Sequence, residues 1–168
     1  MDTIIEIGAG EGNTTATLYQ QGVNTMLYVF EPHAESFKKL QESYQYRGLI
    51  TILPFAVDIG DNQEPLFIHS DGMHTLQPNY FARQQTFNMV WTIRLDTFMN
   101  LYNITSIDYL KIDAPQRAEM ILESLGQRVD DLKAGSVVVY EETSTVPKFL
   151  HDHGFAIRGT FVLEFWRE

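Results

Sequence analysis

Five short apolar runs recur along the chain, at Thr3–Ile7, Met26–Phe30, Ile50–Val57, Ile107–Ile112 and Ser136–Tyr140. Four of them end directly on an acid: Glu31, Asp58, Asp113 and Glu141. Runs this short and this rich in branched residues, bounded by turn signals, predict strands buried on both faces of a parallel sheet. Between them the apolar spacing changes to threes and fours. It predicts a helix over Asn13–Gln21 with Asn13 or Thr14 as its cap, and one over Ala34–Tyr46 that turns Phe37, Leu40 and Tyr44 to the sheet and stops at Gly48. A third helix starts at Pro115 and buries Ile121, Leu122, Leu125 and Val129, and a fourth runs from Thr145 to His153 and stops at Gly154. Phe155–Ile157 and Phe161–Trp166 flank Arg158-Gly159-Thr160 as a terminal antiparallel hairpin. Two further strands are expected at Glu64–His69 and Met89–Leu95, with Asp96 capping a short helix over Thr97–Tyr102, and Pro54 marks an edge or an irregular end of the third run. The alternation predicts an α/β fold: a mostly parallel sheet with helices on both faces, in one domain over 1–168 without repeat or linker.

The chemistry gathers at the carboxyl ends of those runs. Ile7-Gly8-Ala9-Gly10-Glu11-Gly12 is a glycine turn between strand and helix, where backbone passes close under a ligand because no Cβ intervenes. A dinucleotide fingerprint is G-x-G-x-x-G, whereas here the spacing is Gly8-x-Gly10-x-Gly12 and Asn13 follows. Glu6, two residues before the first glycine, would repel a pyrophosphate and can hold an ammonium. Glu31, followed by Pro32, stands where a carboxylate accepts from both ribose hydroxyls, which suits NAD as well as other nucleosides. Ala56, Val57 and Asp58 end the third run, with Asp58 either a ligand-facing acid or a turn residue of Asp58-Ile59-Gly60-Asp61-Asn62. Lys111 and Asp113 alternate with Ile112 and so point one way, as a site pair or a buried ion pair. The segment from Ser70 to Arg83 reads as a loop covering a substrate, with His69, Asp71, Met73 and His74 as its chemistry, and Tyr80, Phe81 and Phe87 as an apolar lining.

Charge narrows the partners. Twelve Lys and Arg against 22 Asp and Glu give a net charge of -10, which opposes a nucleic-acid phosphate track and an anionic membrane surface. With no cysteine there is no disulfide, thiolate metal site or cysteine nucleophile. No apolar run approaches the roughly 20 residues of a membrane span, and no signal peptide is visible, so a cytoplasmic protein is expected. Oligomeric state is not legible.

Glu6-x-Gly8-x-Gly10-x-Gly12 resembles motif I of the S-adenosylmethionine (SAM) methyltransferases. With Val29-Phe30-Glu31-Pro32, Pro54-Phe55-Ala56-Val57, Arg94-Leu95-Asp96-Thr97-Phe98 and Ile107-Asp108-Tyr109-Leu110-Lys111-Ile112-Asp113, in that order, nearly the whole chain resembles the FkbM family of such enzymes. The resemblance implies a Rossmann-like class I methyltransferase fold, with a seven-stranded sheet ending in the antiparallel hairpin. It also implies methyl transfer from SAM to a hydroxyl of a sugar or small natural product. Carried over by position, Glu6, Gly8, Ala9 and Gly10 would line SAM, Glu31 and Pro32 its ribose, and Ala56, Val57 and Asp58 its adenine. Methyltransferases usually carry helices before the first strand, so the abrupt start reads as a minimal enzyme or a piece of a longer protein. The family pattern Val-Glu-Gly-x-Glu after Lys-x-Asp is replaced by Ala114-Pro115-Gln116-Arg117-Ala118. A base for the acceptor hydroxyl would come from Asp113, His74 or His69, in that order. Magnesium held by Asp113 and Glu141 is a metal-assisted variant. The rival readings are a SAM-binding module without transfer activity and an NAD-dependent oxidoreductase.

Overall fold

The computed structural model describes residues 1–20, 24–69, 74–78, 86–114, 116–133, 137–139, 146–158 and 163–167; over 137–139, 146–147, 156–158 and 163–167 it describes the backbone alone. The five apolar runs become strands: β1 (Asp2–Ile7), β2 (Thr25–Phe30), β3 (Ile50–Leu53), β7 (Tyr109–Ile112) and β8 (Val137–Val139). Joined by β9 (Phe155–Arg158) and β10 (Leu163–Arg167), they form one seven-stranded sheet in the order β3-β2-β1-β7-β8-β10-β9. Pairing is parallel from β3 through β8, and β10 runs antiparallel to both β8 and β9. The expected sheet and terminal hairpin are both present.

Alternation along β1 and β2 splits the core in two. Ile4, Leu27 and Val29 pack on one face with Leu18 of α1 (Asn13–Gln20) and Leu40 of α2 (Ala34–Tyr44). Ile5, Ile7, Tyr28 and Phe30 pack on the other with Phe98 and Met99 of α3 (Leu95–Leu101), Ile121 and Leu122 of α4 (Ala118–Glu123), and Leu150 of α5 (Val146–Asp152). Helices therefore cover both faces, and the strand ends between β2, β1 and β7 are left to form a site.

Three expectations need correction. The run Ile50–Val57 is not one strand: it breaks at Pro54, and β4 (Phe55–Val57) leaves for a second sheet of order β4-β6-β5, with β5 (Gln63–Ile68) and β6 (Thr86–Ile93). Proline has no N–H to continue a ladder, so the chain changes sheet there. Asp96 is not the cap of α3, which begins at Leu95. Its carboxylate receives Arg94 through both Nε (2.9 Å) and Nη2 (2.7 Å), and this guanidinium holds it below the usual carboxylate range. Arg94 also donates to the Ile59 carbonyl, and Asp61 accepts from the Arg94 N–H and the Thr97 hydroxyl, so the motif fastens the second sheet to the first. Phe87 does not line a pocket; it stands exposed on β6 with Met89 and Trp91. Asp71, Met73, Tyr80, Phe81 and Glu141 lie outside the described residues. No described helix is long and apolar enough to cross a membrane.

Candidate functional site

The carboxyl ends of β1, β2 and β7 and the inner part of the second sheet enclose a cavity of about 360 Å³, within the range of small-molecule sites. Gly8, Ala9, Gly10, Glu31, Pro32, Ala56, Val57, His74 and Asp113 all line it. Glu6 and Asp58 do not.

The glycines divide the work of the turn. Gly8, Gly10 and Gly12 all have positive φ, at 77°, 56° and 90°. A Cβ on Gly8 would lie 1.9 Å from the Asp113 carbonyl oxygen, and one on Gly12 would lie 2.6 Å from Leu40 Cδ2. Those two glycines let β1 meet β7 and α2. At Gly10 a Cβ would meet nothing within 4 Å, so the bare backbone here fronts open space in the cavity.

Glu6 lies inside β1 and is fully buried, with Lys111 as its register partner on β7. It accepts from Lys111 Nζ at 2.9 Å and from the Thr15 hydroxyl at 2.6 Å. A carboxylate in an apolar sheet needs such partners, and these close it off from a ligand. Asp58, also buried, is bound by Arg117 and by the Ile59 N–H (2.7 Å), so it does not present itself to an adenine amino group. Arg117, which also stands 3.8 Å from Glu64, lines the cavity in its place. The sequence signal for it was the basic residue inside the segment that departs from the family pattern. Leu66, Thr75 and Leu76, which add a wall from the second sheet, carried no signal beyond apolar spacing.

Glu31 is the opposite case. Its two oxygens accept from the Gly10 N–H (2.7 Å) and the His33 N–H (2.8 Å), tying the glycine turn to the end of β2. Burial pushes its pKa up to about 7; those two bonds pull it down, and the charges of Glu6 and Asp113 push it further up. Asp113 at the end of β7 is half exposed and stands 3.5 Å from Lys111 Nζ.

His74 lies against His33, ring centroids 4.1 Å apart, at the Glu31 end of the cavity. Its Nδ1 accepts from the His69 N–H at 3.1 Å, which puts the proton of the neutral ring on Nε2. His74, a base candidate from the sequence, thus lines the cavity with its Nδ1 turned to the His69 N–H. His69 is off the cavity, its Nε2 buried without a hydrogen-bond partner among the described residues. Among the described residues no three His, Asp or Glu side chains gather to hold a metal ion, and Glu141, the expected partner of Asp113 for magnesium, lies outside them.

A doubly wound sheet with the order found here, and a nucleoside-sized cavity over its glycine turn, define a Rossmann-like methyltransferase domain. The methyltransferase FkbM domain model matches residues 6–158, and the chain belongs to that family. Comparison with curated proteins gives no match. Among solved structures, the precorrin-6y C5,15-methyltransferase of Geobacter metallireducens superposes with a TM-score of 0.58 at 13% identity, covering 99% of this chain and 80% of that one. TrmK of M. capricolum, in complex with S-adenosyl-homocysteine, gives 0.56 at 14% identity over 99% of this chain and 62% of that one. The fibrillarin of Aeropyrum pernix, with natively bound S-adenosyl-L-methionine, gives 0.58 at 12% over 98% and 65%. The chain thus spans somewhat under two thirds of those last two proteins. At these identities the likeness establishes the fold.

Proposed function

We propose that the chain binds SAM in this cavity and transfers its methyl group to a hydroxyl of a sugar or small natural product. One observation carries the cofactor reading: carboxylates outnumber ammonium groups around the glycine turn. Lys111 serves both Glu6 and Asp113, Arg117 is engaged by Asp58 and Glu64, and Glu31 is held by backbone N–H groups. Such a site attracts a ligand bearing positive sulfur and an ammonium, and repels the pyrophosphate of NAD. The open face of Gly10 fits the same ligand, because a nucleoside can lie directly on backbone there.

Bound SAM supplies an already activated methyl group, so the protein's task is alignment. Gly8, Ala9 and Gly10 would lie under the thioether chain and Glu31 would accept from the ribose hydroxyls. Pro32, Ala56 and Val57 would border the base, with Arg117 rather than Asp58 beside it. The acceptor enters from the second-sheet side, where Leu66 and Leu76 make an apolar wall. Both described cations lining the cavity are held by carboxylates, and the chain carries a net charge of -10. These features favour a neutral hydroxylated acceptor over a phosphate-bearing one.

Calorimetric titration with S-adenosylhomocysteine (SAH) and NADH tests the cofactor, and transfer of labelled methyl to a panel of glycosides and polyphenols, with bulk RNA as comparator, tests the acceptor. We expect SAH binding in the micromolar range, none for NADH, and labelled glycoside or polyphenol. Preference for NADH overturns the reading. SAH binding without transfer to any acceptor favours a binding module, which the altered segment after Asp113 motivates.

A further inference from the structure

The carboxylates at the cavity differ in how fully they are engaged. Glu6 accepts from Thr15 and Lys111 and lies behind the lining. Glu31 gives one oxygen to the Gly10 N–H and the other to the His33 N–H. Glu11, at the rim, is paired with Lys39. Asp113 has a single ion pair among the described residues, the 3.5 Å approach of Lys111, and its side chain is 49% exposed. The backbone fixes where it stands: its N–H donates to the Ile7 carbonyl at 2.8 Å, and its own carbonyl packs on Gly8.

We propose that Asp113, rather than Glu6, receives the α-ammonium of the ligand's amino-acid tail, and that Lys111 is the positioning residue that aims it. This rests on the SAM reading above. An ammonium is a compact charge with three donors, and it needs a carboxylate with vacant lone pairs facing the cavity. Among the described residues only Asp113 offers these beside Gly8, where a tail leaving the glycine turn would run. Formally, Glu6 and Asp113 carry two negative charges against the one positive charge of Lys111, so an incoming ammonium brings the group to neutrality. The assignment replaces the role of base expected for Asp113, because a carboxylate engaged by an ammonium is a poor acceptor for a substrate proton.

The test compares SAH with 5′-methylthioadenosine, which has the same nucleoside and thioether but no amino-acid tail. Dissociation constants are measured by calorimetry for the wild-type chain, for Asp113→Asn, and for Glu6→Gln/Lys111→Met, which removes the buried pair together. Wild type is expected to bind SAH at least about tenfold tighter than methylthioadenosine. Asp113→Asn should weaken SAH by about 10- to 100-fold, the scale of a charge-assisted hydrogen bond, and methylthioadenosine by less than about twofold. The double variant should lower the same ratio, which a general loss of fold would not do. Equal affinity of wild type for the two ligands overturns the inference even if every variant misfolds, and so does equal weakening of both ligands in Asp113→Asn. Wild type binding neither ligand overturns the SAM reading itself.

Discussion

Glu6 and Glu31 sit on neighbouring strands, each within two residues of the same edge of the sheet, and they behave in opposite ways. Glu6 is one residue short of the end of β1, so the parallel register sets it against Lys111 and the sheet closes over it. Glu31 is one residue past the end of β2, so no neighbouring strand offers it a cation. Two backbone N–H groups take its oxygens, and burial raises its pKa to about 7. Position relative to the strand end, more than residue type, separates an acid that holds the sheet from one that faces a ligand.

The largest effect expected from that contrast is at Lys111. Lys111→Met leaves Glu6 charged and buried without its ammonium and should lower the free energy of unfolding by about 3–5 kcal/mol, while Glu6→Gln/Lys111→Met recovers most of it. Urea denaturation of both variants decides the matter; a single variant as stable as wild type would break the contrast.

The glycines carry the same contrast one step smaller. Gly8→Ala drives a Cβ into the Asp113 carbonyl at positive φ and should cost about 3 kcal/mol or more in the same urea titration. Gly10→Ala meets only open space, so its stability cost should stay near the 1–2 kcal/mol of a left-handed non-glycine residue. Its main consequence should be weaker SAH binding.

A pH titration sharpens the Glu31 side. Its folded pKa of about 7 lies above the ordinary 4.5, so its contribution to stability is fully present below about 4.5 and is lost as pH rises through 7. Binding should have the other sign, since ribose hydroxyls donate best to the ionised carboxylate. SAH affinity should fall by up to about tenfold per pH unit below 7. Glu31→Gln should flatten both slopes relative to wild type, and an unchanged slope in calorimetry between pH 6 and 8 would remove Glu31 from the ligand.

The smallest effect concerns the segment after Asp113. Gln116 stands where the family pattern has glycine, yet its φ is 64°, a conformation that suits glycine. Gln116→Gly should therefore leave the fold unchanged and raise stability by about 1 kcal/mol, read as a higher melting temperature.

Much of this was legible beforehand because the signals are local. Apolar runs give strands whatever they pair with, and the order of strands and helices between 1 and 60 and from 107 onward leaves few right-handed parallel arrangements. Gly8, Gly10 and Glu31 could be singled out because their chemistry depends on a turn and a strand end that lie next to them in the chain. The site residues that moved did so through contacts distant in sequence. Glu6 was turned inward by Lys111, and Asp58 was covered by Arg117. Pro54 was visible as a break, but not that the chain beyond it would start a second sheet and wall the cavity with Leu66 and Leu76.

The sequence by itself determined the alternating layers, the glycine turn and the acid after the second strand, since each follows from the conformational limits and hydropathy of adjacent residues. Only the tertiary structure decided which carboxylates remain free to meet a ligand. That depends on which strand lies beside which and in what register, and a shift of a single residue there exchanges a buried ion pair for an open site.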